Sequence, residues 1–462
     1  MKAIFAALLF LIIFFISCRK DSFITSSDAR ITLSADTLKY DTVFPTAGSV
    51  TQLFKIFNDN NQKLRLNYVK LAGGSASSFK MNVDGLSTTE ATNIEIAAND
   101  SIYVFVQVNV NPSSANLPFV IRDSIEISYN GNTKKMQLEA WGQNAHFMRD
   151  KEISGNETWT NDLPYVVLGY LYVQPSAKLI IDKGCRIYVH PNAPIIIDGT
   201  LQVNGQKDSI NRVYFQSDRL DNPYKDYPAG WPGIYFRQPS KDNSLQYAVL
   251  KNAYQAIAAD GASVNANPKL VLNECIIDNA YDAGIIGLNT NISARDCLIS
   301  NCGKNIALGK GGTYQFIHCT VASFSNNFIT HKSPVLTIAD NDGAGNSAAL
   351  NAVFRNCIFW GKDGTVENEV IVDKKGSNSF SVNFDYNLWK VKTVPANSTI
   401  NQAINDQDPL FDSIDVSRRY YNFRLKNGSP AMNKGTNAGV TTDLDGNIRP
   451  VGLPDLGSYE KQ

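Results

Sequence analysis

Four cysteines recur in one setting. Cys275 lies in LNECIIDN, Cys297 in ARDCLISN, Cys319 in FIHCTVAS and Cys357 in FRNCIFWG. Three residues before each stands Leu272, Ala294, Phe316 or Phe354; two after stands Ile277, Ile299, Val321 or Phe359. Ala248 takes the cysteine's place before the first, and Asn387 after the last. The steps are 27, 22, 22, 38 and 30 residues. Self-similarity at such a period marks a solenoid. A coil of about 22 residues has room for three short strands and three turns, and stacked coils pair in parallel at about 4.8 Å. Asn252, Asn279 and Asn301 share one offset and predict an asparagine ladder at one turn. The step of 38 holds an insertion, 332–350, read as a loop or lid. Upstream, Gly169–Val173 returns as Gly199–Val203, which suggests a repeat of 30.

The rest of the chain is also β in character. It is rich in Asn, Ser, Thr, Tyr, Val and Ile and poor in long helical runs. Residues 29–145 show short alternating strands. In SIYVFVQVNV, Ile102, Val104, Val106, Val108 and Val110 fall on one face, and Asn130-Gly131 sits at a hairpin turn. About 115 residues of this kind suit an immunoglobulin-like β-sandwich. The expected fold is therefore all-β: an N-terminal sandwich followed by a solenoid over 150–395. Lys+Arg and Asp+Glu both number 43, so no basic surface is in excess for nucleic acid.

The chain opens MKAIFAALLFLIIFFISCRKD. Lys2 followed by a short apolar run reads as a signal peptide, 1–17, too short for an ordinary membrane span. FISC resembles a bacterial lipobox, with Phe15 where a leucine is usual. The resemblance implies lipidation of Cys18, a polar tether over 18–28, and attachment to the outer membrane or cell surface.

The stacked pattern resembles the right-handed parallel β-helix of the pectin-lyase-like superfamily, and GWPGIYF at Gly230 to Phe236 is similar to the start of such repeats. The stretch from Val43 to Leu71 resembles immunoglobulin-like modules of bacterial surface proteins. Residues 396–462 resemble the choice-of-anchor Q type module, through Asp408-Pro-Leu-Phe411, Asp443-Leu-Asp-Gly-Asn447, Arg449-Pro450 and Asp455 to Glu460. Such a module is expected to cover the open edge of the last coil.

The cysteines are the first candidates for chemistry. Cys275, Cys297, Cys319 and Cys357 share one offset and should stack inside the coil as free thiols. Bridges from Cys297 to Cys319 or Cys302, and a zinc site with His318, are the alternatives. The residues before the cysteines, Glu274, Asp296, His318 and Asn356, should form an outward polar ladder. They are candidates for acid–base work on a sugar or for Ca²⁺, with Arg295 and Arg355 to neutralise a uronate; a solvated turn ladder is the plainer reading. Tyr224, Tyr227 and Trp231, in a Pro/Gly-rich loop, are candidate sugar-stacking residues, or in the case of Trp231 packing beneath the loop. The resemblance brings the polygalacturonase motifs N-T-D, D-D, H-G and R-I-K to mind, and none occurs here. The reading is a monomeric, noncatalytic glycan-binding or adhesion protein without a cofactor. A polysaccharide lyase or glycosidase is the alternative.

Overall fold

The computed structural model describes residues 22–43, 51–109 and 119–462. The signal segment 1–17, Cys18 and Val110 lie outside the described residues. The chain divides into two compact units, Met1–Asn144 and Ala145–Gln462. Both are built of strands, with only two single-turn helices among the described residues, Gly74–Ala76 and Tyr224–Asp226.

The N-terminal unit holds two five-stranded sheets around one apolar core. Strand Ser101–Val108 buries Ile102, Val104, Val106 and Val108 and turns Tyr103, Phe105 and Gln107 outward. Strands Phe119–Tyr129 and Asn132–Gly142 pair antiparallel, Tyr129 opposite Asn132. Asn130 and Gly131 between them have φ of 45° and 81°. That is the two-residue turn whose twist matches the flanking strands.

In the second unit, 26 strands from His146–Ile153 to Ile404–Asn405 form one continuous coiled sheet with parallel pairing. Each coil contributes to three ladders, as a parallel β-helix requires. The pairs Val249↔Ile276, Ile276↔Leu298, Leu298↔Thr320, Thr320↔Ile358 and Ile358↔Leu388 repeat the steps read from the cysteines. The short strands Ile276–Asp278 and Leu298–Ser300 are flanked by left-handed residues: Glu274 (φ 50°) and Asn279 (58°), then Asp296 (49°) and Asn301 (53°). Asn and Asp enter that region at least cost, which favours polar residues at these corners.

The core follows from the stacking. Cys275, Cys297, Cys319 and Cys357 are fully buried, and these and Cys185 and Cys302 are free thiols. Cys275 Sγ lies 3.3 Å from the carbonyls of both Leu245 and Asn273, each an acceptor for its thiol hydrogen. Phe316, Phe354 and Phe384 stack with centroids 5.4 and 5.1 Å apart. The asparagine ladder forms in part, Asn279 Nδ2 donating to Asn252 Oδ1 at 2.8 Å.

Four expectations need correction. The repeat of 30 is not structural: Leu171 pairs with Ile195 and Leu201 with Leu179, so the two similar segments lie on different ladders. Alternating apolar strands look alike whichever ladder they join. The insertion 332–350 contains a regular coil strand, Leu336–Ala339, and ends at the start of the next, Leu350–Arg355, so the loop proper lies between the two. Coil strands continue through Thr399–Asn401 and Ile404–Asn405, beyond 395. Finally, the C-terminal segment does not close the last coil's open edge. Its hairpin, Phe411–Asp415 with Tyr420–Leu425, belongs to a layer laid along the side of the helix. Phe411, Phe423, Leu425, Leu444 and Leu456 pack there on Leu298, Phe324, Ile358, Trp360 and Leu388. Those coil strands are apolar on both faces, so the outer face needs a cover.

Two outcomes follow. Thiol titration in denaturant should find all six cysteines from Cys185 to Cys357 reactive without prior reduction, while the folded protein leaves them unlabelled. Phe354→Ala, in the middle of the ring stack, should cost about 3–5 kcal/mol in chemical denaturation.

Candidate functional site

The residues before the cysteines do face out of the coil, but the C-terminal layer covers them. Asp296, His318 and Asn356 are at most 1% exposed and Glu274 9%. Arg449 is the centre of this interface. Its Nη1 contacts His318 Nδ1, and Nη1 and Nη2 donate to the Asp455 and Gly457 carbonyls at 3.0 and 3.1 Å. Ion pairs of 3.5 and 3.4 Å link it to Asp296 and Glu460. Asn356 brackets Thr436 with two hydrogen bonds of 2.7 and 3.0 Å. The residues that carried the resemblance are thus internal braces. Asp443 accepts from the backbone of Asp445 (3.0 Å), Asn447 (2.7 Å) and Glu460 (3.0 Å), so its oxygens are occupied by amides.

Burial sets the protonation of this cluster. Asp296 and Glu274 are pushed above the ordinary carboxylate range, chiefly by desolvation. His318 is held well below 6.5 by desolvation and then by Arg449. Both its ring nitrogens meet donors, Arg449 Nη1 and Asn356 Nδ2, which opposes a second ring proton. A general acid or base must reach substrate, and these groups do not reach the surface. Arg295 is exposed and donates to Asn273 Oδ1 at 2.9 Å, and Arg355 pairs with Asp385 at 2.9 Å. The four catalytic candidates therefore do not assemble at an open site.

The aromatic loop divides. Trp231 is fully buried, stacked near Phe215 at 6.5 Å, with Nε1 donating to the Lys251 carbonyl at 2.8 Å. It plugs the coil and cannot stack on a sugar. Tyr224 and Tyr227 are exposed; Arg219 lies 3.9 Å over the Tyr224 ring, and Tyr227 packs 4.9 Å from Phe328.

An open site lies next to this loop. Along the outer face of the short strands, one row runs Lys251, Asp278, Ser300, Ala322, Trp360. The C-terminal layer covers the apolar end, and the polar end is left as the floor of a groove. Two adjoining recesses of about 340 and 570 Å³ share Lys251, Asp278, Arg419 and Tyr421. One wall is the loop of Leu220, Lys225 and Asp226, held down by Asn252 Nδ2 on the Lys225 carbonyl (2.7 Å) and Asn279 Nδ2 on that of Asp226 (3.1 Å). The other wall is the C-terminal hairpin, with Arg419, Tyr420, Tyr421 and Arg424. Arg419 bridges the walls to Asp226 at 3.0 Å.

Each groove carboxylate has a cation beside it. Arg424 grips Asp445 with bonds of 2.7 and 2.8 Å, and Lys251 lies 4.0 Å from Asp278, which also accepts from Ser300 at 2.7 Å. Lys207 and Lys225 add two further cations. Sequence reasoning missed this site because its second wall comes from residues far along the chain. A signal was present in the switch from polar to apolar residues three places after each cysteine, Asp278 and Ser300 against Ala322 and Trp360.

No family model matches the chain, and no curated protein matches it. Among solved structures it is similar to the YadV chaperone (11% identity, 25% of this chain and 51% of that one, TM-score 0.18). It is also similar to a family 123 glycoside hydrolase from Clostridium perfringens (9% identity, 29% and 31%, TM-score 0.20). A third is the catalytic unit of a GH87 alpha-1,3-glucanase from Streptomyces thermodiastaticus (9% identity, 76% and 89%, TM-score 0.23). The chain spans about half the length of the first and a third of the second. Likeness at these TM-scores assigns neither activity nor substrate.

The buried cluster makes two predictions. Arg449→Met leaves Asp296 and Glu460 unpaired and should cost about 3–5 kcal/mol, whereas Asp296→Asn should cost far less because it removes a charge that burial disfavours. His318 has a folded pKa below its unfolded value, so its contribution is present above pH 6.5 and lost as pH falls below it. Denaturant melts between pH 7.5 and 5.5 should show the wild type losing more stability than His318→Gln, by at most about 1.4 kcal/mol per pH unit below that point.

Proposed function

We propose that this chain is an exported surface lipoprotein that binds a polysaccharide, without catalysis, in the groove between the 220–226 loop and the C-terminal hairpin. The observation that carries the binding role is the composition of that groove. A rigid strand floor presents Lys251, Asp278 and Ser300 between walls bearing Tyr420, Tyr421, Arg419 and Arg424. Flat rings, cations and hydroxyl partners converging in a recess suit a hydroxyl-rich ligand. Asp226, Asp278 and Asp445 each have a cation beside them, a charge-balanced lining that suits binding of a hydroxyl-rich ligand. The character of residues 1–18 supports export and a lipid on Cys18. On this reading the immunoglobulin-like unit spaces a right-handed β-helix from the membrane, and the protein acts as a monomer at the outer membrane or cell surface.

Purified protein on a polysaccharide panel should retain at least one glycan, and Lys251→Ala with Tyr421→Ala should weaken that binding at least about tenfold, or 1.4 kcal/mol. Silence across neutral and acidic polysaccharides overturns the reading. Turnover of a uronate polysaccharide, seen as unsaturated products and lost in the same variant, would instead establish the lyase alternative. Metabolic labelling with palmitate should mark the wild type and spare Cys18→Ala.

A further inference from the structure

The two sheets of the N-terminal unit carry different outer faces. One is laced with ion pairs: Arg65–Glu95 at 2.9 Å, Lys70–Glu126 at 3.3 Å, Lys135–Glu126 at 3.0 Å and Arg122–Glu139 at 2.9 Å. Apart from Trp141, exposed at 46%, that is the ordinary solvated face of a mostly antiparallel sheet. The other, from strands Gln52–Asn58, Ser101–Val108, Phe79–Val83 and Leu86–Thr88, exposes Leu53 at 47%, Tyr103 at 41% and Phe105 at 36%, with Leu86 exposed at 59% on the edge strand. Register places Leu53, Phe105, Asn82 and Ser87 in one row across the four strands. Gln107 and Lys80 face each other in the next row along, and Lys55 and Tyr103 in the row on the opposite side. The rings of Tyr103 and Phe105 are within 16° of parallel, with centroids 6.0 Å apart. Beside Phe105 lies a recess of about 530 Å³, lined by Lys80, Asn82, Ser87, Gln107 and Thr51 among others and, among the described residues, by no carboxylate.

We propose that this face is a second carbohydrate-binding site, taking an extended chain of equatorially linked pyranoses. Such sugars present a flat C–H face to an aromatic platform and hydroxyl edges to its surroundings. Phe105 supplies the platform, extended by Tyr103, over whose ring Lys55 Nζ lies at 4.5 Å; the Asn82 amide, the Ser87 hydroxyl, the Lys80 ammonium and the Gln107 side-chain carbonyl oxygen supply the edge partners, Gln107 Nε2 being held by Thr51 at 2.6 Å. Lys80 in the recess and Lys55 beside Tyr103, with no acid among the described lining residues, admit neutral or uronic sugars. A protein partner fits poorly: a specific interface covers about 1,000 Å² or more around an apolar centre, and four exposed apolar side chains interleaved with amides and lysines do not provide one. The unit then contributes to recognition rather than serving only as a spacer.

The test is calorimetric titration of the full chain with a β-1,4-linked glucose hexamer and a β-1,4-linked mannuronate hexamer. At least one should bind. Phe105→Ala and Tyr103→Ala should each weaken that binding at least tenfold with an unchanged melting temperature, Phe105→Trp should retain it, and the groove variant Lys251→Ala with Tyr421→Ala should leave it in place. Three results overturn the proposal: neither hexamer binds, binding survives Phe105→Ala, or Phe105→Ala dissolves a dimer of the chain, which would assign the face to self-association.

Discussion

Parallel hydrogen bonding between successive coils is the constraint on which the second unit rests. Once Ile276 pairs with Leu298 and Leu298 with Thr320, every side chain at a given offset falls in one column. The columns then sort themselves chemically. Inward offsets fill with cysteine, isoleucine and phenylalanine, and corner offsets with residues that tolerate a left-handed backbone. A one-residue slip would carry each apolar column to the wrong face.

The outward column of the short strands shows how one row serves two purposes. Its apolar end, Ala322 and Trp360, fastens the C-terminal layer, and its polar end, Lys251, Asp278 and Ser300, stays open. The layer in turn brings Arg419, Tyr421 and Arg424 to the open end. The groove is therefore where a structural docking surface stops. The same layer removes Glu274, Asp296 and His318 from solvent, and Arg449 neutralises part of the charge it buries.

The sequence announced the coil stack because a column of like residues at a fixed step survives any loop between coils. It revealed the hairpin at Asn130-Gly131 because that turn demands two residues of positive φ. It misled at Glu274, Asp296 and His318: a polar residue at a corner points out of the coil, but periodicity does not say whether something distant lies on top. Trp231 posed the same difficulty, since a tryptophan in a Pro/Gly-rich loop serves equally as plug or platform, and only its hydrogen bond to the Lys251 carbonyl decides. Arg419 was out of reach, because its role depends on a partner, Asp226, 193 residues earlier.

That separation has a consequence for biogenesis. The floor of the groove and its loop wall can form as soon as the middle coils have stacked, but the opposing wall is made later, Arg419 following Asp226 by 193 residues. A chain stopped short of the hairpin would carry half a groove and an uncovered stripe of Phe324, Ile358 and Trp360. The groove is thus whole only in a molecule whose hairpin has folded back to meet the middle coils.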